Sequence, residues 1–131
     1  FIGVAAVADW RAASTRNKKI KKDGKTVPPL MLEENPDILK TISNHDKRPP
    51  LVIGFAAETN NVLEHARAKL ARKNCDWIVA NDVSGDVMGG DENTMILLSA
   101  AGTDSWPKMS KQAAARKLAE KIAQSITKEE A

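Results

Sequence analysis

The fold is decided by the apolar run Leu51-Val52-Ile53-Gly54-Phe55-Ala56, which follows the stop signal Pro49-Pro50. A run without polar alternation is typical of a strand that is covered on both faces. A second apolar run, residues 75–80, comes after a helical pattern that extends to Lys73. A strand, a helix and a strand in this order predict a parallel sheet with helices packed against it.

The same alternation extends outward from this unit in both directions. Upstream, we predict a buried strand over residues 1–8 and an exposed flap or hairpin over residues 11–26. A short strand over residues 30–33 follows. The next element is a helix that has Asn35 as its cap and Pro36 in its first turn and runs to about His45. Downstream, we predict a strand over residues 94–99 and a helix from the cap Ser110 to about Lys128. The predicted fold class is α/β, a Rossmann-like and mostly parallel sheet that is flanked by helices and carries an exposed flap.

Two of these helices carry apolar stripes that we expect to contact the sheet. The stripes are Val62, Ala66 and Leu70 in the helix that Thr59 or Asn60 can cap, and Ala114, Leu118, Ile122 and Ile126 in the last helix. A basic face of the first helix, formed by His65, Lys69 and Lys73, lies about 60° from its stripe. These basic side chains therefore lie at the border between the core and the solvent. There they either bind phosphate or are ordinary surface residues without a ligand.

The bulk composition is that of one soluble globular domain. The 131 residues are 42% hydrophobic and 28% charged, and no stretch approaches the roughly 20 apolar residues that cross a bilayer. The single cysteine, Cys75, excludes an internal disulfide and favours a reducing cytoplasm. Since the chain opens directly on an apolar run without a preceding turn, we expect an upstream element to be missing.

A cluster of lysines follows the first predicted strand. Lys18, Lys19, Lys21, Lys22 and Lys25 lie within eight residues, although the net charge is only +3. Such a run is a solvated segment, a nucleic-acid patch or a phosphate clamp, and composition does not choose among them. The chain has no tyrosine and only two phenylalanines and three tryptophans, so it offers little surface on which nucleic-acid bases stack.

Polar groups follow three of the predicted strands. Asp9 follows the first strand, Glu58 the second, and Asn81-Asp82 the third. Ligands of open parallel sheets bind outside the carboxyl ends of the strands, so we expect these groups to converge on one edge. In that place Asp9 can accept hydrogen bonds from a ribose diol, or it can cap a turn.

Several other motifs carry no site. The glycines between Gly85 and Gly90 form no dinucleotide fingerprint, and a Walker lysine motif is absent. Cys75, at the start of an apolar strand, indicates an inert packed thiol. Neither histidine has the neighbours of a zinc site. We expect Trp10 and Trp77 to be packing residues.

Five sequence motifs occur in the order found in phosphopantothenoylcysteine synthetases, and the resemblance to that family covers nearly the whole chain. The motifs are Ala5-Ala6-Val7-Ala8-Asp9-Trp10, Lys19-Ile20-Lys21-Lys22, Asn35-Pro36-Asp37-Ile38, Gly54-Phe55-Ala56-Ala57-Glu58-Thr59 and Ala80-Asn81-Asp82-Val83-Ser84. The resemblance implies that residues 1–131 are the carboxyl-terminal part of a single CTP-binding synthetase domain. In bacteria that domain is usually fused to an FMN-dependent decarboxylase, so FMN is expected only in the absent domain.

The implied activity is a phosphopantothenate–cysteine ligase of coenzyme A biosynthesis. CTP activates the carboxylate of 4′-phosphopantothenate as an acyl-cytidylate, and the amine of L-cysteine then displaces CMP. Mg²⁺ is expected with the triphosphate. The resemblance also implies a homodimer, or a larger oligomer when the domain is fused to the decarboxylase. We expect neither nucleic acid nor membrane as a partner, because aromatic residues are few, the net charge is moderate and no apolar stretch is long enough to cross a bilayer.

The resemblance also implies roles for individual residues. The backbone of Gly3, Val4, Ala5 and Phe55 is expected to read cytosine, Asp9 to hold the ribose, and Lys19 to be the catalytic flap residue. The nucleotide site is completed by Asn35, Pro36, Asp37, Ile38, Lys69 and Lys73, and Asn81 and Asp82 are expected at the pocket floor. The metal ligands stay unassigned.

Two departures from the family pattern limit what this chain is expected to do alone. The upstream phosphate loop and an asparagine that handles the acyl intermediate are absent, and the loop Val87-Met88-Gly89-Gly90 lacks an aromatic residue often found before the glycine. We therefore expect the isolated chain to be inactive. The alternative to a ligase is a nucleotide-binding α/β module without catalysis.

Overall fold

The structure is a computed structural model that describes residues 1–14, 24, 29–58, 60–82 and 91–129. Its elements are β1 (Ile2–Gly3), β2 (Trp10–Ala12), β3 (Leu32–Glu34), α1 (Ile38–Ser43), β4 (Ile53–Glu58), α2 (Val62–Lys73), β5 (Trp77–Asp82), β6 (Glu92–Asn93), β7 (Met95–Ser99), β8 (Gly102–Ser105), β9 (Met109–Ser110) and α3 (Lys111–Glu129). They form two compact units, the first made of Phe1–Val4 with Ile38–Ala131 and the second of Ala5–Asp37. None of the described helices is long and apolar enough to cross a membrane.

The first unit is built on a sheet with the strand order β1-β4-β5-β7-β8. The strands β1, β4 and β5 are parallel, as their predicted arrangement requires. The strands β7 and β8 continue the sheet as an antiparallel hairpin that turns at residues 100–101, and β8 begins at Gly102, where φ is +132°. The predicted α/β class is confirmed. The strand β8 was missed because its sequence, Gly-Thr-Asp-Ser, has no apolar periodicity.

Helices cover both faces of this sheet. Because side chains alternate along β4 and β5, each of these strands contributes to the hydrophobic core on both faces. On one face, α3 covers a core of Ile53, Val79, Leu97, Trp106, Ala114 and Leu118. On the other face, α1 and α2 cover a core of Val52, Ala56, Ala66, Ile78, Ala80 and Leu98. Both predicted stripes are confirmed, except that Ile126 is 39% exposed near the end of α3.

The helix caps differ in how well they were predicted. Ser110 Oγ accepts a hydrogen bond from the Ala113 N–H at 3.1 Å, so the predicted cap of α3 is confirmed. The prediction for α2 was wrong, because its N-cap is Asn61, which has a φ of 45° and makes no side-chain cap bond. The prediction for α1 was also wrong, since α1 begins at Ile38 and not at Pro36.

The predicted buried strand over residues 1–8 was also wrong. Regular pairing covers only Ile2 and Gly3, which lie against Ile53 and Gly54. Val4 is 63% exposed and Val7 54% exposed. The strand β1 is at the edge of the sheet as described, so its apolar side chains pair with one neighbour and lack the cover that their composition predicts.

The second unit contains the antiparallel pair of β2 and β3, in which Arg11 lies opposite Glu33. The two side chains form an ion pair at 2.6 Å. This pair is the base of the predicted hairpin, and Gly24 has the positive φ of 81° that a turn favours. Trp10 is 55% exposed, so its predicted packing role was wrong. The lysine cluster lies outside the described residues.

A polar cluster joins the β7–β8 hairpin to α3. Asp104 Oδ2 lies 2.8 Å from Lys121 Nζ and accepts a hydrogen bond from the Trp106 indole N–H at 3.0 Å. Trp106 is buried, and Lys117 Nζ lies 4.9 Å from the centre of its ring. The Lys121 ammonium and then the indole N–H hold the pKa of the Asp104 carboxyl below its usual value of 3.8.

We expect Asp104→Asn to lower stability at pH 7 and this loss to shrink in acid. A carboxyl group whose pKa is lower in the folded state stabilises the fold when the pH is above the pKa of the unfolded state, here 3.8. This stabilisation is lost as the pH falls from 3.8 through the lower pKa of the folded state. Because both ion-pair side chains are more than a third exposed, screening limits the loss to about 1 kcal/mol, or a few degrees in Tm.

Thermal melts of both proteins between pH 2 and 7 measure this difference. The matched control is Glu92→Gln, which breaks the more exposed Glu92–Lys108 pair and should leave Tm unchanged. A Tm difference between Asp104→Asn and the parent protein that is independent of pH would contradict the assignment.

Candidate functional site

The carboxyl ends of β4 and β5 form one edge of the sheet. Their parallel register places Ala57 beside Asn81 and Glu58 beside Asp82. The expectation that polar groups after these two strands converge is therefore confirmed for the backbone positions. In open α/β sheets this edge is where ligands bind.

A lysine of α2 contacts the backbone of β4 three residues before the carboxyl end of the strand. Lys69 Nζ donates a hydrogen bond to the Phe55 carbonyl oxygen at 2.6 Å. The contact arises because Ala66, one turn earlier, is fully buried against the sheet, so the Lys69 stem runs along the edge of the core. Lys69 and Lys73 are half-buried, as their place at the rim of the core predicts, whereas His65 is exposed. Two residues that the family resemblance assigned to one nucleotide are thus in contact.

Asn81 has a buried amide oxygen at the same edge. Among the described residues, Asn81 Oδ1 has no hydrogen-bond partner. A buried acceptor that lacks a donor costs about 1–3 kcal/mol, and a ligand with an N–H or O–H group would recover part of that cost. The role of Asn81 and Asp82 at a pocket floor stays a prediction.

Asp9 and Asn35 are joined in the second unit. The Asn35 N–H donates to the Asp9 carbonyl oxygen at 2.8 Å, and Asn35 Nδ2 donates to the Ala8 carbonyl oxygen at 2.7 Å. Asn35 Oδ1 in turn accepts from Arg11 Nη1 at 3.2 Å. The amide of Asn35 therefore holds the segment before β2, which explains why it does not cap α1.

The remaining predicted residues differ in what is known of their surroundings. Asp9 is separated from the end of β1 by residues 4–8, so its predicted place directly after a strand was wrong. Pro36 and Asp37 are exposed, and so is Ile38 at the start of α1. Gly3 is half-buried, and Val4 and Ala5 are exposed. Lys19 and the loop over residues 87–90 lie outside the described residues.

Two kinds of chemistry find little support. Burial raises the pKa of the Cys75 thiol, which confirms the inert packed cysteine that the sequence predicts. The described part of the chain contains no group of three His, Cys, Asp or Glu side chains that could hold a metal ion. Mg²⁺ that accompanies a nucleotide usually binds phosphate oxygens with one or two carboxylates, and we assign no described residue to it.

The chain was compared with protein families, curated sequences and solved structures. Residues 1–126 match the family described as DNA/pantothenate metabolism flavoprotein C-terminal domain. The chain is 43% identical over 126 residues to the coenzyme A biosynthesis bifunctional protein CoaBC of Escherichia coli strain K12, covering 93% of this chain and 31% of that protein. It thus spans about a third of that relative's length.

Two solved structures resemble the fold. The C-terminal domain of a coenzyme A biosynthesis bifunctional protein CoaBC aligns with a TM-score of 0.70 at 32% identity, covering 97% of this chain and 56% of that one. A Cab2 mutant in complex with phosphopantothenate-cysteine aligns with a TM-score of 0.68 at 15% identity, covering 96% and 44%. At that identity the second structure supports the fold alone.

Proposed function

The chain belongs to the DNA/pantothenate metabolism flavoprotein C-terminal domain family, and from this membership we propose that it carries the nucleotide-handling part of a phosphopantothenate–cysteine ligase that uses CTP. The observation that supports this proposal is the 2.6 Å hydrogen bond from Lys69 Nζ to the Phe55 carbonyl oxygen. It places an ammonium, suited to a phosphate, against the backbone of β4 three residues before the carboxyl end of that strand, and ligands of open α/β sheets bind beyond such ends.

The proposed reaction has two steps. A carboxylate oxygen of 4′-phosphopantothenate attacks the α-phosphorus of CTP, the bond to the β-phosphate oxygen breaks, and pyrophosphate leaves. The amine of L-cysteine then attacks the acyl carbon, and CMP leaves as the amide forms and the nitrogen loses its proton. Lys19 and Lys69 would neutralise charge on the phosphates, Asp9 would accept from the ribose, and Asn81 would line the pocket. Mg²⁺, when bound, would neutralise the triphosphate.

The proposal includes a cytoplasmic homodimer. The single buried cysteine is consistent with a reducing compartment. Exposed apolar side chains in the second unit, Trp10, Leu30, Met31 and Leu32, offer area that a partner subunit could cover. Sedimentation velocity of the full-length protein reports the oligomeric state, and a monomer at working concentration would contradict the dimer.

Calorimetric titration with CTP, UTP and ATP tests nucleotide choice. We expect the full-length protein that contains this chain to bind CTP at least about tenfold more tightly than ATP, which corresponds to a difference of about 1.4 kcal/mol. Tighter ATP binding, or no binding of any nucleotide, would contradict the proposal. Ligation of cysteine to 4′-phosphopantothenate by the same protein separates a ligase from a non-catalytic nucleotide-binding module.

A further inference from the structure

Gly54 is the point at which α1 comes closest to the sheet. It is buried in β4 between Val52 and Ala56, whose side chains face the layer of α1 and α2. A Cβ added to Gly54 would lie 2.5 Å from Leu39 Cδ2 and 3.0 Å from Ile78 Cδ1. Any side chain at this position therefore requires Leu39, or the helix that carries it, to move away from the strand.

Backbone conformation does not explain this glycine. Among the described residues, the glycines with positive φ are Gly24 and Gly102. Gly54 lies in a strand, paired with Gly3 on one side and Ile78 on the other, in a conformation that any residue adopts. A glycine inside a strand weakens it and often marks a close approach of another part of the chain. The space taken by Leu39 is that approach.

The opposite end of α1 is fixed independently. Asn74 Nδ2 donates to Asn44 Oδ1 at 3.0 Å, and Asn44 Nδ2 donates to the Lys40 carbonyl oxygen at 2.7 Å. The six residues of α1 span only about 9 Å. Leu39 packs against the buried core of this face, which restricts the rotation of its side chain. If α1 moves instead while Asn44 stays bound to Asn74, the helix tilts and its first residue, Ile38, is displaced.

We propose that Gly54 is a positioning residue for nucleotide binding, because its missing side chain lets the first turn of α1 pack against β4 next to Phe55. This inference rests on the proposed function, together with the family resemblance, which implies that Ile38 and the backbone of Phe55 both contact the nucleotide. Gly54 itself touches no ligand. It fixes where Ile38 lies relative to the Phe55 carbonyl oxygen and to the Lys69 ammonium, which donates a hydrogen bond to that oxygen.

The test compares a variant that introduces a steric clash with a double variant that removes it. Gly54→Ala is expected to weaken CTP binding by about ten- to a hundredfold, since a displacement of about 1 Å at a site has effects of this size. Adding Leu39→Ala to Gly54→Ala removes the clashing atoms and should recover most of the affinity. The control is Leu97→Ala, which opens a cavity on the α3 side of β7, a strand that does not pair with β4, and should lower Tm without changing the CTP dissociation constant.

Calorimetry of the full-length protein distinguishes failure of the proposed function from failure of the inference about Gly54. Wild-type protein that does not bind CTP overturns the proposed function and this inference with it. If wild-type protein binds CTP and Gly54→Ala binds it as tightly, this inference alone is overturned. Equal weakening of CTP binding by Leu97→Ala also overturns this inference alone. If Gly54→Ala does not fold, the double variant is compared with wild-type protein. The double variant should fold and lose less than about tenfold in CTP affinity, and a larger loss overturns the inference.

Discussion

Replacing Lys19 by glutamine is expected to lower the rate of CTP-dependent pyrophosphate release by about 10²–10³-fold, the usual cost of losing one group that stabilises transition-state charge. In the proposed reaction, negative charge develops on the phosphate oxygens as pyrophosphate departs. Glutamine keeps a comparable length and can still donate a hydrogen bond, but it carries no charge. The CTP dissociation constant should change much less than the rate, because the loss falls on the transition state.

The matched control for this experiment is Lys18→Gln, in the same cluster and with the same loss of charge. If the cluster acts only through its summed positive charge, both variants should slow pyrophosphate release equally and both should respond to salt. Equal losses, or an unchanged rate for Lys19→Gln, would contradict a specific role for Lys19. A loss of CTP affinity in Lys19→Gln without any effect on ligation in a complete protein would favour the non-catalytic nucleotide-binding module.

The elements predicted best from the sequence are those whose own residues determine them. The stripe through Ala66 and the cap at Ser110 depend on helical periodicity and on one hydroxyl, and both are present. The strands β4 and β5 were predicted for the same reason, since continuous apolar runs indicate cover on both faces.

The errors occur where a neighbour decides the outcome. Residues 1–8 have the composition of a buried strand, but burial depends on what lies beside them, and β1 has regular pairing with β4 alone. Asn35 is a good cap by type, but its amide is used by the Ala8 carbonyl. The crowding at Gly54 comes from Leu39, a residue distant in sequence, so no local pattern predicts it.

The candidate site was predictable in part for the same reason. The four-residue spacing of His65, Lys69 and Lys73 placed a basic face at the rim of the core, and two of these residues are half-buried there. Which acceptor Lys69 would find depends on where β4 ends relative to α2, and that is a property of the packed sheet. The backbone groups expected to read a base leave no trace in side-chain composition.

Lys69→Met is expected to weaken CTP binding by about 10–100-fold, because a charge-assisted hydrogen bond contributes about 1.5–3 kcal/mol. Methionine keeps most of the aliphatic stem that lies along the core, so the fold should be preserved, although Tm should fall by a few degrees because a part-buried hydrogen bond is lost. The bond to the Phe55 carbonyl oxygen is lost at the same time. That carbonyl then lacks the contact that orients the strand end, which adds to the loss of affinity.

The control for Lys69→Met is Arg67→Met, an equal loss of charge on the same helix. Arg67 is exposed and lies about 200° around the helix from Lys69, at 100° per residue, so it points away from the Phe55 carbonyl. Calorimetric titration of both variants with CTP at two salt concentrations compares them directly. A loss of affinity in Lys69→Met that Arg67→Met does not share, and that is larger at the lower salt concentration, assigns the ammonium to the phosphate. Equal losses would mean that α2 acts on the nucleotide only through its net charge, and the site at the end of β4 would then have to be abandoned.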